Sequence, residues 1–355
     1  EKQLAMLAEH LPRDEFDVHV CALTRGGPYQ EKLEQAGIPV TVIGKRWKFD
    51  PSSYYRLRSH IAALKPDLVQ TWIFAANAYG RSAAKSCGVK RILASERCVD
   101  PWKSWWQLMV DRRLAKFTDR IVTNSSGVRD FYVKKRLPED LFEVIPNGIE
   151  PARESDVSRE DLLEELGLPE NSVLIGLVAR LWPQKKIKDA IWAADLLKVI
   201  RDDIHLLIIG DGPQRDRLMY YRDKINIRDR VPFLGQRDDV WRIMPHFDLL
   251  WSTSAYEGQS NSIMEAMACG VPVIATDVPG NGDLVVHEET GMLIPFEKVD
   301  FRRRRSDIAR QSNLLLDDPE RRASMGQAAK SRMLNEFSVR RMVERYGNLY
   351  KKLLD

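Results

Sequence analysis

Short runs of β-branched and aliphatic residues alternate with longer helical patterns along the whole chain, and this alternation limits the fold more than any other feature. Several runs are apolar on both faces, which suits parallel strands covered by helices on each side. Alternation of strands and helices predicts an α/β fold with parallel sheets. The predicted strands span 17–23, 39–43, 67–71, 91–95, 120–123 and 142–145 in the first half, and 173–179, 204–210, 231–235, 248–252, 271–275 and 291–294 in the second.

Twelve strands are too many for one ordinary open sheet, so two sets of six predict two doubly wound, Rossmann-like domains facing each other across a cleft. The stretch "IPNGIEPARESDVSRE" (145–160) combines Pro, Asn and Gly with a polar, charged run. Such breaker residues followed by a polar linker are typical of a domain boundary. We therefore expect one domain over 1–147 and a second over 148–337.

The composition favours a soluble globular protein of the cytoplasm. The 355 residues are 44% hydrophobic and 30% charged, and no apolar run approaches the roughly 18 residues that span a bilayer. The four cysteines form no C-x-x-C pair, and the six histidines form no H-E-x-x-H. Neither a structural zinc site nor a zinc-protease motif is indicated.

The positive charge of the chain is concentrated in its first half. Residues 1–150 carry 24 Lys and Arg against 18 Asp and Glu, whereas the remainder carries 31 against 33. A basic half could favour an anionic partner or weak association with a membrane surface, although an ordinary solvated face is the simpler explanation. No nucleic-acid-binding signature is present, so a nucleic-acid partner is not expected.

The segment "SAYEGQSNSIMEAMACGVPVIAT" (254–276) places two glutamates eight positions apart, where a loop becomes a helix. The loop follows a predicted strand and so lies at the carboxyl edge of the sheet. Unpaired N–H groups at Asn261, Ser262 and Ile263 would form a site for an anion such as phosphate. Glu265, one turn on, could accept hydrogen bonds from a ribose diol. The alternative is structural, because Ser262 and Glu265 also fit the S-x-x-E capping box.

A second element combines cations with a strand end. In "VLIGLVARLWPQKKIKDAI" a predicted strand is followed by Arg180, then by Lys185 and Lys186 at the start of a helix. An Arg fork and a Lys point charge suit a diphosphate. A salt-bridged surface loop would show the same pattern. Together with the glutamate pair, however, these cations favour a site for a sugar nucleotide.

These motifs resemble the retaining group 1 (family 4) glycosyltransferases, which have the GT-B fold. The resemblance covers nearly the whole chain and rests on E-x7-E in "EGQSNSIMEAMACGVPV", R-x4-K in "ARLWPQKK", and the runs "LLIIGDGP", "VPFLGQRDDV" and "VIPNGIE". The glutamate block with A-M-A-x-G-x-P-V behind it is the most specific mark.

The resemblance implies roles for individual residues. Arg180 and Lys185 match the pair that binds the donor diphosphate, Glu257 matches the glutamate near the hydroxyls of the donor sugar, and Glu265 matches the glutamate that holds the ribose. The catalytic set is then Arg180, Lys185 and Glu257. The remaining donor contacts implied are Gly258, Ser260, Asn261 and Ser262, whose backbone approaches sugar and phosphates, and Gln236, where the base is usually held.

The resemblance also implies an organisation and a reaction. The first domain should bind the acceptor and the second the donor, and a last helix over 338–355 should cross back to the first domain. We expect retaining transfer from a nucleotide-diphosphate sugar of the UDP or GDP type to an unidentified glycan or lipid-linked acceptor. No D-x-D occurs, so neither a metal ion nor any other cofactor is expected. The enzyme would be cytoplasmic, or peripheral at the inner face of the membrane.

The sequence departs from the family in three places. Lys186 stands where relatives usually have Gly, which puts the local backbone path in question. The fifth strand of domain one ends in Ser95, Glu96 and Arg97 rather than in the His that many relatives carry. The first strand and its Gly-rich loop are missing, and we expect Glu1 to be the last residue of that loop's motif.

Other functions stay open at this point. A GT-B nucleotide-sugar epimerase or hydrolase would share these motifs, and so would a protein that binds a nucleotide sugar without catalysis. A nicotinamide dehydrogenase would need G-x-G-x-x-G after an early strand, and the sequence has none. The segment "DPWKSWWQLMVDRRL" (100–114) could be an interfacial helix, although packing in a core or cleft is the simpler interpretation.

Overall fold

The computed structural model describes residues 1–47, 49–296 and 300–355, and these residues form all twelve predicted strands. Every strand pairing is parallel, as the sequence predicts. The strands are β1 Val20–Ala22, β2 Val40–Val42, β3 Leu68–Trp72, β4 Arg91–Glu96, β5 Arg120–Thr123, β6 Phe142–Val144, β7 Val173–Val178, β8 Ile204–Ile209, β9 Phe233–Gly235, β10 Leu249–Ser252, β11 Val273–Asp277 and β12 Gly291–Pro295.

Helices connect the strands, and local chemistry fixes several of their starts. Asp50, Ser125, Ser158 and Ser338 cap their helices by accepting a backbone N–H with the side chain. The helices are α1 Lys2–His10, α2 Gln30–Gln35, α3 Pro51–Leu64, α4 Phe74–Ser86, α5 Trp105–Ala115, α6 Ser126–Lys134, α7 Arg159–Glu165, α8 Ile187–Leu197, α9 Arg215–Lys224, α10 Val240–Ile243, α11 Asn261–Ala268, α12 Asn281–Leu284, α13 Phe301–Leu316, α14 Pro319–Glu336 and α15 Val339–Leu354. Within the described residues, none of these helices combines the length and the apolar character that crossing a bilayer requires.

The chain divides into two compact units. Unit 2 comprises Ile149–Glu336, and its six strands lie in the order β12-β11-β10-β7-β8-β9. This is the Rossmann order, in which the chain runs outward from β7 to one edge and then from β10 to the other. β8 is buried at all six positions, because helices cover both faces of the sheet. α8 and α13 pack on one face through a core that includes Ile191, Leu206 and Ile308.

Unit 1 comprises Glu1–Gly148 together with Phe337–Asp355. Its six strands do not form one sheet: β1 pairs with β2, and β3, β4, β5 and β6 form a separate four-stranded sheet. The sequence identifies six strands here but not the interruption between β2 and β3, since strand pairing is a non-local property. The expectation of a further strand before residue 1 stays a prediction.

The last helix belongs to unit 1 and is part of its core. Met342 and Tyr346 of α15 are buried together with Met6 of α1 and Leu93 of β4. The ring of Tyr346 lies 6.2 Å from that of Trp72. The side-chain amide of Gln3 binds the backbone of Gly148 twice. Its oxygen accepts from the Gly148 N–H at 2.8 Å, and its nitrogen donates to the Gly148 carbonyl at 2.9 Å. The apolar stripe of α15 is therefore explained by its contacts within unit 1.

Candidate functional site

The predicted donor residues follow the two central strands of unit 2. β7 and β10 are neighbours in the sheet, and the strand order reverses between them. Ligands of open α/β sheets bind beyond the carboxyl ends of the strands at such a point. The loop after β7 carries Arg180 and Lys185, and the loop after β10 carries Glu257 and leads into α11. The fold thus brings two distant sequence motifs to one edge of one sheet.

Lys185 and Glu257 form an ion pair between these two loops. Lys185 ends a 3-10 turn over Pro183–Lys185, and its Nζ contacts Glu257 Oε1. Ser254 Oγ donates to the same oxygen at 2.6 Å. Glu257 is buried, so removal of either charge would leave the other poorly solvated. The pair therefore fixes a cation and a carboxylate at the carboxyl edge of the sheet.

Hydrogen bonds to backbone carbonyl groups hold the same two loops together. Ala255 N donates to Gln184 O at 2.8 Å, and Gln184 Nε2 donates to Tyr256 O at 2.7 Å. Thr253 Oγ1 donates to Lys185 O, also at 2.8 Å. These bonds bridge about seventy residues of sequence, and they restrict how Lys185 and Glu257 can move relative to each other. Sequence reading did not identify Gln184, Thr253 or Ser254, because no motif marks a side chain that ties two loops.

α11 begins at Asn261, with Ser260 as its N-cap residue. The capping-box alternative for Ser262 and Glu265 is therefore wrong: Ser262 lies inside the first turn, and Glu265 lies one turn further on. Ser260 Oγ lies 3.0 Å from Ser262 Oγ. Asn261, Ser262 and Ile263 form the first turn of α11, and Met264 N bonds back to Ser260 O at 3.1 Å.

Gly258 is held by a close backbone approach that sequence reading missed. A Cβ on Gly280 would lie 1.2 Å from Gly258 O, and Gly280 has φ +91°, a conformation that favours glycine. The neighbouring strand end adds two hydrogen bonds: Thr276 Oγ1 donates to Ser254 O at 2.6 Å, and Asn281 Nδ2 donates to Thr276 O at 3.0 Å. The run "VPGNG" after β11 is the available sequence signal, since its glycines mark a tight turn beside the site.

Arg180 and Gln236 are exposed at the ends of β7 and β9. The Arg180 guanidinium lies 6.0 Å from the centre of the Trp182 ring. The loop after β8 supports this edge, because Leu181 N donates to Asp211 O at 2.9 Å and Gln214 N donates to Leu181 O at 3.1 Å. Among the described residues, no three His, Cys, Asp or Glu side chains are placed to hold a metal ion together.

Lys186 adopts the left-handed conformation, with φ 48° and ψ 34°. The sequence left the backbone path here in question, because relatives usually have Gly at this position. The structure shows that the lysine takes the conformation that glycine adopts without cost. Lys186 is also the N-cap residue of α8, so the turn that presents Lys185 leads directly into that helix.

A second charged cluster lies in unit 1, at the carboxyl end of β4. Lys103 Nζ donates to Glu96 Oε1 at 3.1 Å and to Asp111 Oδ2 at 3.0 Å, and it lies 3.7 Å from Asp100 Oδ2. Arg81 Nη2 donates to Asp111 Oδ1 at 3.1 Å. Two cations thus face three carboxyl groups in a largely buried setting. Sequence reading noted Glu96 only as a departure from the family pattern.

The hydroxyl of Tyr132 indicates a proton shared within this cluster. Tyr132 Oη lies 3.0 Å from both Glu96 Oε2 and Asp100 Oδ2. A hydroxyl has one hydrogen, so both contacts are favourable only when one carboxyl is protonated and donates back. Burial raises the pKa of Glu96 and the pKa of Asp100 above their ordinary values. Glu96 and Asp100 are therefore expected to keep one proton between them at a pH at which two exposed carboxyl groups would both be ionised.

Ser95 and Arg97, which flank Glu96 and also depart from the family pattern, contact other side chains of unit 1. Ser95 Oγ accepts a hydrogen bond from Gln70 Nε2 at 2.7 Å. The guanidinium of Arg97 lies 4.9 Å from the Trp72 ring centre, and it donates to Tyr346 Oη at 3.1 Å. These contacts join the end of β4 to α15.

Two families match the sequence, and between them they span most of the chain. Residues 158–332 match the family described as "Glycosyl transferases group 1", and residues 1–153 match "Glycosyltransferase Family 4". The first match contains every predicted donor residue. The second covers the part of unit 1 that precedes unit 2.

Individual proteins show the same similarity. The Escherichia coli UDP-Gal:alpha-D-GlcNAc-diphosphoundecaprenol alpha-1,3-galactosyltransferase is 26% identical over 365 residues, covering 96% of this chain and 90% of that protein. The Bacillus anthracis N-acetyl-alpha-D-glucosaminyl L-malate synthase is 30% identical over 194 residues, covering 54% and 49%. The crystal structure of Anabaena HepE with UDP-glucose superimposes with a TM-score of 0.86 at 23% identity, covering 99% and 95%. This likeness confirms the two-domain, Rossmann-like α/β fold of the GT-B class.

Replacement of Lys186 tests the left-handed turn. Lys186→Gly should leave the free energy of unfolding within about 0.5 kcal/mol of wild type or raise it, because relief of strain offsets the greater freedom of the unfolded chain. Lys186→Val should lower it by about 1–2 kcal/mol, because a β-branched residue resists this conformation. Urea unfolding measures both variants. A loss of more than about 1 kcal/mol in the glycine variant would contradict the assigned backbone path.

The shared proton predicts a pH dependence. Because the folded-state pKa of Glu96 and Asp100 lies above the unfolded value of about 4, the folded protein holds more protons, and stability should fall as pH rises through the folded pKa. Asp100→Asn should flatten the decline that begins above the unfolded pKa of about 4, measured as the urea-unfolding free energy. Asp140→Asn, at an exposed position, is the control and should keep the wild-type slope. Identical slopes in Asp100→Asn and wild type would show that the cluster holds no extra proton.

Proposed function

This chain belongs to the group 1, family 4 glycosyltransferases, and we propose that it transfers a hexosyl group from a UDP-sugar to a lipid-linked acceptor. The proposal includes retention of the anomeric configuration and independence from a metal ion. It rests above all on the Lys185–Glu257 pair at the switch point of unit 2. That contact supports the proposal, because Lys185 would bind the diphosphate beside a carboxylate that would meet the sugar hydroxyls.

The charges at this edge support a role for unit 2 as the donor domain. Arg180 and Lys185 would bind the diphosphate, one as a planar fork and the other as a point charge. The N-terminus of α11 would supply backbone N–H groups from Asn261 and Ser262 and the positive end of the helix dipole. Glu265, which is not part of a capping box, would accept hydrogen bonds from the ribose.

The reaction breaks the bond between the anomeric carbon and the diphosphate oxygen. Negative charge then develops on the leaving diphosphate, and oxocarbenium character develops on the sugar. Arg180, Lys185 and the α11 N-terminus would stabilise the first, and the buried carboxylate of Glu257 would orient the sugar hydroxyls. We propose that the acceptor hydroxyl attacks from the face of the leaving group and gives its proton to a phosphate oxygen of the donor. Gly258, Ser260 and Gln236 would complete the donor site through the backbone.

The relatives guide the choice of donor and acceptor. By its name, the Escherichia coli relative uses UDP-Gal and acts on GlcNAc-diphosphoundecaprenol, and HepE was crystallised with UDP-glucose. These names favour a UDP-sugar over a GDP-sugar here, and a lipid-diphosphate acceptor over a free glycan. They also favour transfer over an epimerase, a hydrolase or a protein that only binds the donor. The acceptor would bind in unit 1, which matches the family 4 profile.

Glu265→Gln separates a ribose contact from a structural role. The substitution should weaken UDP binding by about 1–3 kcal/mol, because charge-assisted hydrogen bonds to the diol are lost. The free energy of unfolding should change by less than about 0.5 kcal/mol, because Ser260, and not Ser262, occupies the N-cap position of α11. Calorimetric titration with UDP and a urea melt measure the two quantities. A destabilised variant with unchanged UDP affinity would contradict the assignment.

Lys185→Ala tests whether a side chain, rather than a metal ion, compensates the negative charge of the donor diphosphate. Hexosyl transfer from a UDP-sugar to a GlcNAc-diphospho-lipid should continue in excess EDTA and should fall at least about a hundredfold in Lys185→Ala. Lys186→Ala is the matched control, since it removes a neighbouring positive charge outside the proposed site. The anomeric configuration of the product, determined by NMR, tests retention. Activity lost on chelation and restored by Mg²⁺ or Mn²⁺ would contradict the metal-independent account.

A further inference from the structure

A group of large apolar side chains is exposed in unit 1. We call this group the aromatic face, and its members are between 50% and 76% exposed. The tryptophan-rich segment was expected to pack in a core or cleft, and Trp102 and Trp105 are too exposed to belong to a core. The aromatic face consists of Trp47, Phe49, Ile73, Trp102, Trp105 and Met109.

The aromatic face is continuous although three parts of the chain contribute to it. The ring of Phe49 lies 6.3 Å from that of Trp106, and the ring of Phe74 lies 5.9 Å from Trp106 on another side. Asp50 N donates to Tyr79 Oη at 2.9 Å, which ties the segment before α3 to α4. The half-buried Trp106 thus contacts the exposed ring of Phe49 and the half-buried ring of Phe74.

The buried charge cluster explains why these rings point outward. Lys103 lies between the two exposed tryptophans in sequence, and its Nζ is held inside by Glu96 and Asp111 at 3.1 and 3.0 Å. A capping box follows directly, with Ser104 N donating to Gln107 Oε1 at 2.9 Å, and it fixes the start of α5. With Lys103 anchored inward, Trp102 and Trp105 are presented on a rigid element.

The charge around the aromatic face is positive. Residues 44–58 carry five Lys or Arg against one Asp, and residues 101–116 carry four, of which Lys103 is buried, against one. The two acids, Asp50 and Asp111, are both buried, and Asp50 accepts hydrogen bonds from Ser52 Oγ and Ser53 Oγ at 2.5 and 2.6 Å. Arg46 and Arg113 are exposed. The surface therefore presents cations and aromatic rings without exposed acids from these segments.

A cavity of about 500 Å³ lies beside the aromatic face. Arg46, Trp47, Ser52 and Arg56 line it, together with the buried Asp50. Arg56 is held in place by its bonds to Ile43 O and Gly44 O, at 2.9 and 3.1 Å. Arg46, which lines this cavity and is exposed, suits an anionic head group, because Arg binds phosphate through a planar fork.

We infer that the aromatic face docks on an anionic phospholipid bilayer, with its indole rings at the level of the head groups. Trp is enriched at membrane interfaces because its ring is amphipathic, and nearby Lys and Arg add attraction to anionic lipids. An exposed apolar patch rimmed by cations matches this partner better than an acidic protein surface, which would leave the rings in water. The inference rests on the proposed function in one respect: a lipid-diphosphate acceptor would be met at such a surface.

Vesicle co-sedimentation tests the docking surface without donor or acceptor. The full chain should bind phosphatidylcholine vesicles that contain about one-third phosphatidylglycerol, should bind neutral vesicles weakly, and should lose affinity at about 0.5 M salt. The Trp102→Ala, Trp105→Ala double variant should bind at least about tenfold more weakly. Tyr220→Ala, which removes an exposed ring from unit 2, is the matched control and should bind as wild type does.

A urea melt of the same proteins shows that each variant is folded, and UDP titration separates this inference from the donor-site proposal. UDP affinity should be unchanged in the tryptophan variant. The inference would be overturned if the wild-type protein did not bind anionic vesicles at low salt, or if the double tryptophan variant bound them as well as wild type does. Self-association that the two tryptophan substitutions abolish, without vesicle binding, would assign the face to a dimer and overturn it as well.

Discussion

The ion pair between Lys185 and Glu257 joins the two loops on which the proposed donor chemistry depends. A cation that must bind a diphosphate and a carboxylate that must meet sugar hydroxyls are both costly to hold in a partly buried site. Each provides the charge that the other needs, and Ser254 supplies a further hydrogen bond to the carboxylate. The side chains of Lys185 and Glu257 therefore hold fixed positions before the donor binds, which is what electrostatic stabilisation of a leaving group requires.

The strand order of unit 2 is what makes this pair possible. β7 and β10 are adjacent although about seventy residues separate them, because the chain builds one side of the sheet before it returns to build the other. Gln184 and Thr253 then fasten the two loops. The close approach of Gly280 to Gly258 positions the next part of the loop, and α11 begins immediately after it. The geometry of the site is thus a consequence of parallel topology and a few short-range hydrogen bonds.

The sequence predicted the twelve strands and the two charged motifs because strand periodicity and motif spacing are local properties. It did not predict the interruption between β2 and β3, nor the bonds from Gln184, Thr253 and Ser254, because these depend on residues far apart in the chain. Ser262 and Glu265 had the spacing of a capping box, but the helix starts two residues earlier than that motif requires. At Lys186 and Glu96, where the sequence departs from its relatives, the structure shows a left-handed turn and a buried cluster of charged side chains.

A double-mutant cycle on UDP binding tests the central claim most directly. UDP affinity would be measured by calorimetry for wild type, Lys185→Met, Glu257→Gln and the double variant. If the two residues act as one preorganised unit, each single substitution should weaken binding about tenfold or more, and the two effects should couple by at least about 1 kcal/mol. Wild-type UDP affinity in Lys185→Met, or strictly additive losses across the cycle, would contradict the account.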